Sequence, residues 1–312
     1  MELRKILVAI KPWERGLPLA ANHARQLSQA VGGEVQLVST VFDAKLAASH
    51  ERGDVGAPAA RERAMEMARL DLERLAKSMR EWGASVATKT LWGIPVYDAI
   101  LQAAREWSPD LLVVGVHEPE AFHTRFTDTD WQLIRKTPCP LLLVKGGAFS
   151  GYRTILAAVD PLHAHDEPEG LDRDVLAAAR CFGRAFGSKL RAVYAYAGAA
   201  AFELASAVQV APGVMYGSEN VEDLHRHAVN ELVEQYGIEP SSVDLVAGLP
   251  TEVVIDTAAA RGAELVVVGA SQRHGSLSAM IGSTAESVAA EVACDVLVIP
   301  ARPQEAEARE TP

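Results

Sequence analysis

The chain repeats itself at a period of about half its length. The segment Leu91-Trp92-Gly93-Ile94-Pro95 returns as Val246-Ala247-Gly248-Leu249-Pro250, 155 residues on. Asp110-Leu111-Leu112-Val113-Val114-Gly115 returns as Glu264-Leu265-Val266-Val267-Val268-Gly269 at an offset of 154. Cys139-Pro140-Leu141-Leu142-Leu143-Val144 returns as Cys294-Asp295-Val296-Leu297-Val298-Ile299 at 155. Arg4-Lys5-Ile6-Leu7-Val8-Ala9-Ile10 and Arg153-Thr154-Ile155-Leu156-Ala157-Ala158-Val159 open the two series. Echoes that keep their order and spacing over such distances mean two copies of one domain. A length of 312 residues suits two domains of roughly 150. The copies are expected at 1–147 and 151–302, meeting at a Gly-rich joint from Gly146 to Gly151. The charged tail 303–312, with two prolines, is expected to be disordered.

Within each copy, short apolar runs alternate with helical stretches. In the first, strands are predicted at 4–10, 34–41, 85–92, 110–115 and 140–145, and helices at 15–31, 60–82, 95–107 and 128–136. In the second, strands are predicted at 153–159, 189–195, 242–247, 264–269 and 295–299, and helices at 171–187, 219–236, 251–261 and 282–292. Continuous apolar strands such as Leu265-Val266-Val267-Val268 suit a parallel sheet covered on both faces. The alternation therefore predicts an α/β fold of two tandem, doubly wound, Rossmann-like parallel-sheet domains. The last strand of each copy is an apolar sheet edge, which must be covered or paired. Pro140–Lys145 and Asp295–Pro300 are expected to bring the two copies together about a pseudo-twofold axis.

Composition narrows the function classes. Asp and Glu number 41 against 30 Lys and Arg, a net charge of −11 that argues against direct, sequence-independent nucleic-acid binding. No apolar run reaches the ~18 residues of a membrane helix, and the N-terminus enters a strand at once, without a signal-peptide pattern. Three cysteines with no CxxC pair suggest reduced thiols and a cytoplasmic location. Cys139 and Cys294 precede the last strands at equivalent places, where small buried residues explain them better than nucleophiles do.

Open α/β sheets bind ligands beyond the carboxyl ends of their strands, and there the second copy is the more informative. Val268-Gly269 ends a strand, a twelve-residue loop follows, and Gly282-Ser283-Thr284 opens a helix. Gly269 and Gly282 allow close approach to the backbone, while Ser283 and Thr284 add hydroxyls at the positive end of the helix dipole. Arg273 and His274 can add positive charge from the loop. Ser283 and Glu286 also spell a capping box, S-x-x-E, that would simply start the helix. The residues alone leave anion binding and capping equally open.

With Gly269, Gly282, Ser283, the Val296–Ile299 strand and the Gly248-Leu249-Pro250 turn, both copies resemble the universal stress protein family. The stretch Phe126-Thr127-Asp128-Thr129-Asp130-Trp131 and the following Arg135-Lys136 are similar to its tandem, two-domain E type. The resemblance covers nearly the whole chain, twice, and implies domains like the adenine-nucleotide alpha hydrolases. The family's nucleotide signature is G-x2-G-x9-G-[S/T]. Gly269 and Gly282 stand 13 apart, as it requires, but Gln272 replaces the middle glycine and Gly275 follows three residues later. The resemblance further implies that Asp160 receives a ribose, Ala195 an adenine, and Gly269, Gly282, Ser283 and Thr284 the phosphates. The expected ligand is ATP or a related adenine nucleotide, with Mg.

The first copy departs from this pattern. Lys11 stands where the second has Asp160, and 13 residues beyond Gly115 comes Asp128, followed by Thr129-Asp130. Carboxylates at a helix N-terminus satisfy its amides and repel a triphosphate, so this copy is expected to have lost phosphate binding. His225 and His227, two apart on a helix, face different ways and are not expected to chelate a metal jointly, and these two with His163 and His165 are expected to be solvated. The stretch 197–217 is rich in Ala, Val and aromatic residues with Glu203 its single charge, and reads as a covering loop packed on the neighbouring domain, a lid over the cleft or one wall of an apolar pocket. The leading expectation is a cytoplasmic, nucleotide-responsive stress protein with an unknown protein partner and room for homodimerisation, rather than an enzyme. A degenerate scaffold for an apolar molecule or protein partner, and a slow ATPase, stay open as alternatives.

Overall fold

The computed structural model describes residues 1–10, 18–42, 48–49, 56–93, 95–116, 126–146, 149–162, 170–196, 218–270 and 284–301. Its strands are β1 Lys5–Ile10, β2 Glu34–Val41, β3 Val86–Trp92, β4 Leu111–Gly115, β5 Leu141–Val144, β6 Thr154–Ala158, β7 Lys189–Tyr196, β8 Val243–Ala247, β9 Leu265–Ala270 and β10 Asp295–Pro300. Its helices are α1 Leu19–Val31, α2 Ala57–Glu81, α3 Val96–Trp107, α4 Asp128–Lys136, α5 Leu171–Phe186, α6 Ser218–Glu234, α7 Pro250–Arg261 and α8 Thr284–Glu291.

The ten strands among the described residues form one sheet in the order β3-β2-β1-β4-β5-β10-β9-β6-β7-β8. Each copy supplies a parallel block of five, and the second block runs through the sheet in the mirrored order of the first. The blocks meet where β5 and β10 pair antiparallel, Leu142 opposite Leu297. Those two residues are 155 apart, so the residue that faces Leu142 is its own repeat mate, as a pseudo-twofold axis through the pair demands. The last strands bring the two copies together, as expected.

Two apolar clusters sandwich the sheet, and each extends across the join. One holds α1, α2, α5 and α6 against one face through Leu27, Met79, Phe182 and Val233. The other holds α3, α4, α7 and α8 against the opposite face through Leu101, Leu133, Val254 and Val288. The strands β4, β5 and the start of β9 are buried along their length, as fully covered parallel strands should be.

The join also carries polar contacts. Asp295, 5% exposed, accepts from the Lys145 amide at 2.9 Å and the Tyr152 hydroxyl at 2.8 Å. His23 Nε2 lies 3.1 Å from the same carboxylate, and its Nδ1 lies 2.8 Å from the Leu19 carbonyl. Burial first, and then the Asp295 charge, push the Tyr152 hydroxyl well above the usual tyrosine range, so it stays a donor. On the opposite face of the sheet Arg135 makes a two-pronged bridge to Glu286, Nε to Oε1 at 2.8 Å and an NH2 to Oε2 at 3.0 Å.

Several boundaries differ from the sequence reading. The first helix, expected from 15, begins at Leu19, because Pro18 is extended at ψ 144° and serves as the N-cap. Helix α2 begins at Ala57, three residues ahead of expectation, with Pro58 in its first turn, where the missing amide costs nothing. Helix α7 ends on Gly262 at φ 59°, and its counterpart α3 ends on Ser108 at φ 51°, the one described non-glycine residue at positive φ. The tail 303–312 lies outside the described residues.

Candidate functional site

The carboxyl ends of β6, β7 and β9 converge beside the N-termini of α7 and α8. The strands stop together because β6 lies between β7 and β9 in register, Ala157 pairing with Ala192 on one side and Val267 on the other. The chain leaves β6 through Val159, whose amide donates to the Val193 carbonyl at 3.1 Å, and then reaches Asp160. A cavity of about 50 Å³ opens at this point. Its walls include Ala158, Asp160, Ala195, Val254, Gly269 and Thr284. Of the seven residues singled out by sequence, the structure brings four together: Asp160, Ala195, Gly269 and Thr284. Arg273, Gly282 and Ser283 lie outside the described residues, as do Lys11, Gln272, His274 and Gly275.

Asp160 is held in place from behind. It is 7% exposed, and its amide donates to Asp172 Oδ1 at 2.9 Å, from the first turn of α5. The buried Tyr194 hydroxyl meets His225 Nδ1 at 2.7 Å. Burial raises the Tyr194 hydroxyl far above its ordinary range, helped by the charges of Asp160 and Asp172 and by a hydrogen bond to Asp160. Burial also lowers His225, against an opposing pull from the Asp160 charge. A carboxylate, a phenol and an imidazole thus run from the cavity wall to α6. The sequence reading missed this link and expected His225 to be solvated. The signal available was the alternation in β7, where Tyr194 and Tyr196 share a face and both rings lie tilted against His225, at 5.3 and 5.0 Å between centroids. His227 is exposed, as expected, while His163, His165 and the stretch 197–217 lie outside the described residues.

The small residues have two different reasons to be small. Ala195 lines the cavity, so the size of its side chain bears on what fits. At Gly269 an added Cβ would come within 2.6 Å of Leu171 Cδ2, so a side chain there would have to displace Leu171 of α5 whether or not a ligand approaches. Proximity of Gly269 to a ligand is therefore no test of its role.

At the corresponding end of the first copy, the start of α4 is capped by its own residues. Thr127 and Asp130 form a reciprocal capping box: the Thr127 amide donates to Asp130 Oδ2 at 2.8 Å and the Asp130 amide to Thr127 Oγ1 at 3.4 Å. Asp130 is fully buried. Asp128, which the sequence reading credited equally, is exposed, because the reciprocal cap belongs to the third helical position rather than the first. Thr40, the counterpart of Ala195, is 4% exposed, and its hydroxyl has no hydrogen-bond partner among the described residues. Cys139 and Cys294 are inert by environment, burial pushing both thiols up to about 11.

A sequence model of the universal stress protein family matches residues 2–145 and again 151–300. The chain belongs to the universal stress protein family. Universal stress protein E of Escherichia coli K12 is 27% identical over 307 residues, covering 95% of this chain and 93% of that protein. A universal stress protein E homolog of Haemophilus influenzae is 28% identical over 212 residues, covering 67% of this chain and 68% of that protein. Among solved structures, a universal stress protein from Archaeoglobus fulgidus matches with a TM-score of 0.67 at 15% identity, covering 95% of this chain and 98% of that one. A functionally unknown protein from Pseudomonas aeruginosa PAO1 matches with a TM-score of 0.71 at 24% identity over 96% and 92% of the two chains. The tandem family fold accounts for the repeat, the mirrored sheet and the antiparallel join. Among the described residues no group of three His, Cys, Asp or Glu side chains could hold a metal, and no helix is long and apolar enough to cross a membrane.

Proposed function

We propose that the chain is a stress-response protein that binds one adenine nucleotide, ATP or a relative, in its second copy. The observation that carries this reading is the convergence of Asp160, Ala195, Gly269 and Thr284 on one cavity at the switch point of the second block. Alanine and valine walls suit the flat apolar face of a base. Asp160, fixed through its amide and Tyr194, suits paired sugar hydroxyls as an acceptor. Thr284, at the start of α8, faces the same space, where a helix N-terminus favours phosphate. The described walls enclose only about 50 Å³, room for the edge of a ring, so the remainder of a nucleotide extends toward α8. Gly282, Ser283 and Arg273 belong to the proposal on sequence grounds. Magnesium would be held chiefly by the phosphates, as is usual for that ion.

The walls are largely apolar, which also favours a second reading, a scaffold that takes an apolar small molecule. Native mass spectrometry of protein purified without added ligand separates the two. A single bound mass of an adenine nucleotide supports the first reading, and an apolar adduct supports the second.

Among the described lining residues, Asp160 and Thr284 supply the polar side chains, and Asp160 is placed for the sugar rather than for a terminal phosphate. Fast phosphoryl transfer needs an oriented water and charge neutralisation. Turnover should therefore stay well below ~1 per second, the low end of ordinary enzymes. A phosphate-release assay on nucleotide-free protein checks this, and sustained release at that rate would make the chain an ATPase.

A further inference from the structure

The sheet has two outer edges, β3 and β8, and no described strand pairs with the outer side of either. They are not alike. Each carries an ion pair, Asp244 of β8 with Arg191 at 2.8 Å and Arg261 at 2.5 Å, and Lys89 of β3 with Glu106 at 2.6 Å, but β8 is five residues long and β3 seven. On β3, Val-Ala-Thr-Lys-Thr-Leu-Trp runs seven residues without a proline, so a row of amides and carbonyls is presented outward. Over β2 and β3 lies α2, 25 residues long, against 17 in its repeat mate α6. Between α2 and the β3 edge is an open-sided cleft of about 690 Å³, lined by Glu62, Arg63, Glu66, Arg69, Thr88 and Thr90. The Thr90 hydroxyl is buried and has no hydrogen-bond partner among the described residues. Met67 and Leu70, adjoining on α2, are 67% and 47% exposed.

We infer that this edge joins two copies of the chain. The β3 strand pairs antiparallel with its mate about a twofold axis, and the two α2 helices lie side by side over the new strand pair. Strand spacing makes this fit. Strands lie ~4.8 Å apart, so helices each seated over their own β2 and β3 are about 10 Å apart. That is an ordinary packing distance for two helices. Leu70, a turn beyond Glu66, is then available at the rim of the contact.

Charge makes the arrangement self-complementary. With the axis passing near Met65 and Glu66, Glu62 of each copy stands opposite Arg69 of the partner subunit. Helix α2 carries six cationic and five anionic side chains, so two copies can approach here although the whole chain is at −11. In cis, Arg69 already holds Glu66, one turn away, through Nε and an NH2 at 2.7 Å each, so Glu62 of the partner subunit adds to that exposed bridge rather than replacing it. The chain already uses this device once: at its internal join an antiparallel strand pair is flanked by the Arg135–Glu286 bridge. Pairing of β3 with β8 of another copy would be heterologous and leave free edges to propagate, whereas β3 on β3 closes.

Sedimentation equilibrium of the full chain tests the inference, with Arg69→Glu and the double variant Arg69→Glu/Glu62→Arg. The wild type should be a concentration-dependent dimer. By symmetry Arg69→Glu creates two like-charge contacts, and should raise the dimer dissociation constant by about tenfold or more. The double variant, which restores opposite charges, should recover to within about threefold. Both positions are exposed on α2, so the folded monomer survives either change. A monomer at every concentration, an open-ended polymer, a dimer indifferent to Arg69→Glu, or a double variant that fails to recover would each overturn it.

Discussion

Replacing Asp295 by alanine should lower the stability of the chain by about 3–5 kcal/mol, the range for removing one partner from a buried charged cluster. Three groups from three different segments depend on that carboxylate: the Lys145 amide at the end of β5, the Tyr152 hydroxyl in the linker and the His23 ring of α1. Each would be left in a dry interior, and an unsatisfied buried donor costs about 1–3 kcal/mol. Water cannot easily replace them, since Tyr152 is 3% exposed and His23 is sandwiched against Phe149 at a centroid distance of 3.8 Å. The repeat mate of Asp295 is Pro140, so no second carboxylate stands across the axis to compensate. Denaturant unfolding of Asp295→Ala and Asp295→Asn is the measurement. Asparagine keeps the acceptor oxygen and should lose clearly less. A loss below ~1 kcal/mol in the alanine variant would show that the join is held by its apolar strand pair alone.

The second large effect concerns the cavity. Ala195→Val should weaken adenine-nucleotide binding by at least ~30-fold while changing stability little. Ala195 lines a space of about 50 Å³, and the two added methyl groups take up room there that a base edge needs. A β-branched residue is at home in a strand, so the fold has no reason to object. Asp160→Asn should weaken binding by about 10–100-fold, the range for losing a charged acceptor of a buried hydrogen bond. Gly269→Ala is a poor probe, because its Cβ would strike Leu171 and unsettle α5 first.

The architecture was legible because the repeat is internal evidence. Once Cys139 and Cys294 align, every strand of one copy locates a strand of the other, and the sheet follows from βαβ alternation. The join was legible for the same reason, since an apolar edge at Leu141–Val144 and another at Val296–Ile299 each require a cover. The polar contacts across it were not. His23, Tyr152 and Asp295 are far apart in sequence, and no spacing rule links an α1 histidine to a β10 aspartate. Arg135 was visible only as part of a recurring stretch, and its bridge to Glu286 depends on how the two blocks sit about the axis. At the site, Asp160, Ala195, Gly269 and Thr284 were found because strand ends and a helix start are sequence features. The Tyr194–His225 contact behind Asp160 was not, since it is made by residues on two elements that face each other only after β7 and α6 pack.

Titration calorimetry with ATP and a magnesium salt tests the central claim most directly, on the wild type, Ala195→Val and Thr40→Val. Thr40 stands in the first copy where Ala195 stands in the second, pairing with Leu91 as Ala195 pairs with Val246. Its replacement by valine is nearly isosteric. One nucleotide per chain is predicted for the wild type, with binding lost or strongly weakened in Ala195→Val and unchanged in Thr40→Val. Two sites per chain, or binding that responds to Thr40→Val and ignores Ala195→Val, would contradict the assignment of the site to the second copy.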